Sequence, residues 1–160
     1  MTNASQQLAA GGRVGGKMYG PHEALVRRYI AAIEQRDADA YAALFAEDAI
    51  AHHPLAPDPI RGRDQIRASE QALFDSFSDV RVELRSLLSG QDSCALEVVL
   101  RATNTGALDI GDQQPVPATG QTVELPAVWW CEIGDDGLIA SERAYFDTAA
   151  LMAQLGLGAI

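Results

Sequence analysis

The spacing of apolar side chains divides the chain into a helical first part and a strand-rich second part. Pro21 is a residue favoured at the first position of a helix. After it, Leu25, Tyr29, Ala32 and Ile33 recur at i, i+4, i+7 and i+8, one stripe of a helix. Asp37 suits the N-cap of a short second helix with Tyr41, Leu44 and Phe45 on its inner face. The period then changes. Ala49–His53 reads as a short strand stopped by Pro54, and the three prolines within 54–61 predict a loop. Gly62 opens a third helix with Ile66, Leu73 and Phe77 inward. Beyond Ser78 the alternation has period two: Val80, Val82 and Leu84 lie opposite Arg81, Glu83 and Arg85. Gly90-Gln91-Asp92 predicts a turn into a strand that sets Leu96, Val98 and Leu100 against Glu97, Val99, Arg101 and Thr103. Residues 105–120, rich in Gly, Pro and Asp, predict a long loop or irregular hairpin. Thr122–Ile133 and Ile139–Phe146 read as strands around a Gly134–Gly137 turn, and Thr148–Leu155 as a closing helix. Helices followed by antiparallel strands imply an α+β fold, with helices covering one face of a curved sheet and a pocket at its open end.

Composition narrows the class. A chain of 160 residues with 48% hydrophobic and 21% charged side chains is expected to be one globular domain. Residues 1–20 carry five of the 14 glycines without periodicity, so they are expected to be a flexible tail preceding a domain over 21–160. Twelve Lys and Arg against 22 Asp and Glu give a net charge of −10, which argues against nucleic acid or an anionic membrane as a partner. No run reaches the ~18 apolar residues of a membrane span, and no apolar signal segment opens the chain. Two cysteines, Cys94 and Cys131, are too few for a disulfide framework. The expectation is a cytoplasmic protein. No CxxC, HExxH, P-loop or GxGxxG pattern is present, and His22 lies far from His52 and His53, so neither cofactor nor metal is expected.

Several residues can carry chemistry. Asp147 ends the last strand after Tyr145 and Phe146. Apolar neighbours raise a carboxyl pKa by desolvation, and a carboxyl so tuned moves protons at neutral pH. The same residue, standing before Thr148, can instead cap the closing helix. Alternation sends His52 and His53 to opposite faces; His53 is either a neutral base facing the pocket or a polar strand end. Trp129 and Trp130 must also face opposite ways, and Trp130 is assigned to the pocket as a flat surface for a ligand. Glu142 shares a strand face with Phe146 and is a second pocket carboxylate or a solvated one. Arg101 orients Asp147, binds a carbonyl, or pairs on a solvated face. Asn104, standing before a loop, reads as a turn residue.

The order of elements and the runs ALVRRYIAAIEQRDADAYAALFAEDAIAHHP (24–54), RGRDQI (61–66), RATNTGAL (101–108), PATGQTV (117–123), GLIASERAYFD (137–147) and LMAQLG (151–156) resemble the nuclear transport factor 2-like superfamily. That fold is a cone-shaped α+β barrel. Within it the TNTG, PATG, YFD and QLG series is similar to SnoaL-like polyketide cyclases, over residues 22–157. The resemblance implies a cofactor-independent cyclase in which Asp147 is the acid/base of an intramolecular aldol closure on a hydrophobic, carbonyl-rich substrate. It also implies a homodimer, and a substrate-binding role for Asn104, to an enolate or quinone oxygen. His53 falls on the base position of ketosteroid isomerases and Tyr29 on their oxyanion tyrosine. Their third donor falls on Val128, which cannot donate, so isomerisation is disfavoured. Limonene-type epoxide hydrolases share the closing Asp147 and an Arg-x-Asp pair, here Arg101-Ala102-Thr103, with the second acid missing. Epoxide hydrolase, dehydratase and non-catalytic small-molecule binder therefore stand as alternatives on the same scaffold.

Overall fold

A computed structural model describes residues 20–110 and 114–158. The predicted 1–20 tail lies outside the described residues, Gly20 apart. Helix α1 spans Glu23–Gln35 and α2 spans Ala38–Ala42. Asp37 caps α2 as predicted, its carboxylate accepting from the Ala40 N–H at 2.9 Å. Arg36, left-handed at φ 54°, ends α1; its guanidinium donates to the carbonyls of Phe74 and Phe77 at 3.1 and 2.9 Å. One side chain thus ties the first helix to the third.

Strand β1 is Phe45–His52, β2 Ile60–Arg61, α3 Arg63–Ser76, β3 Phe77–Ser89, β4 Ser93–Asn104, β5 Thr122–Ile133, β6 Ile139–Phe146 and α4 Thr148–Gln154. β1 starts four residues before the expected Ala49. The pattern hides this because a register break between Phe45 and Ile50 leaves Glu47 and Asp48 both exposed, which interrupts alternation.

The six strands form one sheet in the order β2-β1-β6-β5-β4-β3. Two features differ from the expectation. The sheet is mixed rather than antiparallel throughout, because β1 pairs parallel with β6. It is also open: β2 and β3 stand at opposite ends. The parallel pair follows from topology, since α3 and β3–β5 fill the connection between β1 and β6. The fold class is α+β, with α1, α2 and α3 against the inner face of the sheet. Its core runs from Val26, Tyr29 and Ile33 through Tyr41, Phe45 and Phe74 to Leu96, Val98, Leu125 and Trp129. No helix among the described residues is long and apolar enough to cross a membrane.

Candidate functional site

The inner face of the sheet and the helices enclose a cavity of about 100 Å³. β5 alternates without a break, burying Val123, Leu125, Ala127, Trp129, Cys131 and Ile133 and exposing the residues between. Val123, Leu125, Ala127 and Trp129 therefore wall the cavity. β6 adds Glu142 and Phe146 from its inner face, α1 adds Tyr29, α2 adds Tyr41, and α3 adds Glu70, Leu73 and Phe74. His53, Leu55 and Leu73 also border an adjoining cleft of about 430 Å³.

Polar groups converge on this apolar space. Glu142 is 5% exposed. The Tyr41 hydroxyl donates to its carboxylate at 3.0 Å. The Tyr29 hydroxyl lies 3.3 Å from that of Tyr41; with the Tyr41 proton engaged on Glu142, Tyr29 is the donor between them. The rings are held by contact: Tyr29 stands edge-on to Trp129 at 5.4 Å, and Tyr41 packs against Phe45 at 5.0 Å. Burial pushes Glu142 up to about 7, only partly offset by hydrogen bonds from the two tyrosines. Burial, reinforced by the charge of Glu142, pushes Glu70 up to about 8. Burial also holds both phenols well above their usual range. The arrangement keeps protonated carboxyls at neutral pH and sets one of them to exchange its proton near pH 7.

His53 stands edge-on to Phe146 at 5.3 Å, and its Nδ1 accepts from the Leu55 N–H at 3.4 Å. Burial lowers its pKa to about 4, so the ring is neutral and presents an Nε2–H donor. His52 is exposed, so the two histidines do face apart.

These shifts have opposite effects on stability. Between pH 4 and 6.5 the unfolded chain holds a proton on His53 that the fold lacks, so on that account stability rises with pH. From 4.5 up to about 7 and 8 the fold keeps carboxyl protons the unfolded chain has released, so stability falls as pH rises. Above pH 6.5 the His53 contribution is complete and the carboxyls continue to act. Urea unfolding there is expected to lose up to about 1.4 kcal/mol per pH unit for each retained proton. Glu142→Gln is expected to reduce that slope to what Glu70 contributes, and a level wild-type profile from pH 6.5 to 8 would contradict the raised acids.

Of the residues singled out in the sequence, Tyr29, His53, Glu142 and Phe146 line the cavity. Four others do not. Asp147 is exposed and caps α4, accepting from the Ala150 N–H at 3.0 Å. It shares strand parity with Arg143 and Tyr145, which point away from the cavity residues Glu142 and Phe146. Arg101 lies on the outer face, donating to Glu124 at 2.8 Å and Glu83 at 3.0 Å. Trp130 is 39% exposed, and Trp129 lines the cavity in its place. Asn104 is 1% exposed and joins the two quoted motifs to each other. Its amide donates to the carbonyls of Ser76 and Gly106, both at 3.0 Å, and its oxygen accepts from the Thr119 N–H and hydroxyl at 2.7 and 3.0 Å. The TNTG and PATG runs are thus one clasp closing the long loop.

Two further residues line the cavity, Glu70 and Tyr41. Glu70 sits four residues after Ile66 and three before Leu73, on the apolar stripe of α3. The apolar spacing of α2 marks Tyr41 only as an inner-face packing residue. Among the described residues no group of three or more His, Cys, Asp or Glu side chains could hold a metal ion.

Solved structures share this architecture. A protein from Jannaschia sp. CCS1, described as a SnoaL-like polyketide cyclase, is 21% identical, with a TM-score of 0.73 over 90% of this chain and 100% of that one. One from Xanthomonas campestris pv. campestris, described as a polyketide cyclase, is 26% identical, with a TM-score of 0.67 over 82% and 94%. SalBIII, an epoxide hydrolase/cyclase-like enzyme in pyran ring formation in the polyether salinomycin, is 24% identical, with a TM-score of 0.63 over 79% and 90%. No curated protein matches the sequence. The model of the SnoaL-like domain matches residues 26–142, from the first turn of α1 to the Glu142 of the cavity, and the chain belongs to that family.

Proposed function

We propose that this chain is a cofactor-independent, cyclase-like enzyme that moves a proton on a hydrophobic, carbonyl-bearing small molecule, with Glu142 rather than Asp147 as the acid/base. One observation carries the reading: a carboxyl buried in an apolar cavity, bonded to Tyr41 and titrating near pH 7. An ionised Glu142 takes a proton from carbon next to a carbonyl. The C–H electron pair moves into the carbonyl and forms an enolate. The His53 Nε2–H is the neutral donor available to its oxygen. The enolate carbon attacks a second carbonyl of the same molecule, and Glu142 returns its proton to the resulting alkoxide. Product and substrate are isomers.

The cavity alone is small for a ligand site, which is commonly about 300–1,000 Å³. Together with the adjoining cleft it suits a ligand whose reacting end is inside and whose remainder lies past His53 and Leu55. The hydrolase alternative invokes a carboxylate–arginine–carboxylate array, and Arg101 is engaged with Glu83 and Glu124 outside. The test is deuterium exchange into the carbon beside the carbonyl of small ketones in heavy water, followed by NMR. Catalysed exchange supports the reading; a rate equal to that of buffer alone, across cyclic and branched ketones, would sink it.

The proposal includes a homodimer through the outer sheet face. Leu88, Ala95, Trp130 and Arg143 are successive cross-strand partners from β3 to β6, and Val128 faces Tyr145 beside them. Leu88, Val128, Trp130 and Tyr145 are the exposed large apolar residues among those described. Sedimentation is expected to show a dimer that Trp130→Glu converts to monomer; an unchanged wild-type monomer would refute it.

A further inference from the structure

From the placement of Glu70 among aromatic rings, we infer that the cavity takes a substrate bearing a small alkylammonium group, with Glu70 as its counter-ion. The inference rests on the acid/base reading of the same cavity and names the class of molecule it serves.

Two carboxyls reach the cavity, and they are held differently. Glu142 is positioned by Tyr41. Glu70 has no hydrogen bond or ion pair to another of the described residues, although it is within electrostatic reach of both Glu142 and Tyr41. It sits on α3 one turn before Phe74 and within the lining of the cavity. The remaining wall is unusually rich in rings: Tyr29, Tyr41, Phe74, Phe77, Trp129 and Phe146. Aromatic faces attract desolvated cations, and alkylated ammonium groups are the ligands such cages favour. Glu70 is half-buried, and a carboxyl that faces rings rather than water is disfavoured as an anion until a cation joins it. No lysine or arginine lines the cavity among the described residues, so the cation must come from the ligand.

The groups around Glu70 are consistent with that role. Glu142 of β6 and Tyr41 of α2 face it, and both disfavour its ionisation or leave it unaided. His53 and Tyr29 line the same cavity, and His53 is neutral there. On the outside of α3, Arg67 pairs with Asp39 of α2, and Arg63 donates to the Phe45 carbonyl at 2.8 Å. Glu47 and Asp48 of β1, Arg61 of β2, and Asp79 and Arg81 of β3 are exposed. An ammonium entering the cavity therefore displaces a proton from Glu70. Proton balance is simple: one positive charge enters and one proton leaves to solvent.

Tetramethylammonium, a permanent cation, is the probe, with 3,3-dimethylbutan-2-one as a neutral ketone of similar branching. Calorimetry is run on the full chain from pH 6 to 9 in buffers of different ionisation enthalpy. Tetramethylammonium is expected to bind with release of about one proton, tightening close to tenfold per pH unit up to about pH 8 and levelling above it. The ketone is expected to show no such tightening. Glu70→Gln is expected to weaken the cation by about 10–100-fold and to remove the slope above pH 7, leaving below it only what Glu142 contributes. Cation binding that is flat with pH, or no cation binding, overturns the inference. If ketone deuterium exchange persists in that case, the proton-transfer reading stands without it. If the cation binds as expected but no ketone exchanges, that reading falls and the ammonium site remains.

Discussion

Glu142→Gln is expected to lower ketone deuterium exchange by about 10²–10⁴-fold while the protein stays folded. The substitution preserves shape and can still accept from the Tyr41 hydroxyl at 3.0 Å, so packing is kept. What it removes is the only group of the tyrosine–carboxyl chain that changes protonation near pH 7. An amide cannot take a carbon-bound proton at that pH. Removing a buried acid also removes the cost of ionising it, so thermal stability at pH 8 is expected to hold or rise. The matched control is Asp147→Asn. It retains a side-chain acceptor for the Ala150 N–H and leaves the cavity untouched, so exchange should continue at the wild-type rate. The pair of variants separates the two carboxyls cleanly. Exchange lost with Asp147→Asn and retained with Glu142→Gln would return catalysis to the end of the last strand.

Asn104→Ala is expected to destabilise the fold by about 2–4 kcal/mol, which for a chain of this length lowers Tm by roughly 5–15 °C. Asn104 uses its whole amide, with two hydrogen bonds donated and two accepted, at 1% exposure. The Ser76 carbonyl keeps other donors, the N–H groups of Thr105 and Gly106 at 3.0 and 3.1 Å. Thr119 loses the acceptor for its N–H, and a half-satisfied buried network is worse than none. The neighbourhood has no room to adjust: a Cβ on Gly106 would stand 2.0 Å from the Asp75 carbonyl oxygen. Calorimetric melting would decide the matter, and a loss below about 0.5 kcal/mol would show that the clasp is not holding the loop. A residue expected from its motif to touch substrate is thus predicted to act on stability.

Much of the site is written in strand parity. Along β5, Trp129 shares the parity of Val123, Leu125 and Ile133, whereas Trp130 shares that of Thr122, Glu124 and Glu132. Hydrophobicity alone therefore assigns Trp129 to the inside. Along β6, Glu142 goes with Ala144 and Phe146, and Asp147 goes with Arg143 and Tyr145. Read this way, the sequence favours Glu142 as the buried carboxyl. The resemblance points to Asp147, whereas its place before Thr148 suits the cap that it forms. Glu70 interrupts an otherwise apolar stripe, and a charged residue in such a stripe marks a group that must be buried with a purpose or a partner.

By itself, then, the chain determined where its helices lie, though not that Phe45 and Phe77 leave α2 and α3 to open β1 and β3, together with its β3–β6 strands, the capping of α2 and the family to which it belongs, because those depend on local period and on short motifs. The parallel seating of β1 against β6 was not local: it joins segments separated by the whole of β3–β5. Nor was the chemistry. Tyr29, Tyr41, Glu70 and Glu142 lie on three helices and a strand, and only folding brings them around one cavity. Their altered acidities follow from that enclosure, because desolvation measures how much water the rest of the molecule has excluded, and no stretch of sequence contains that quantity.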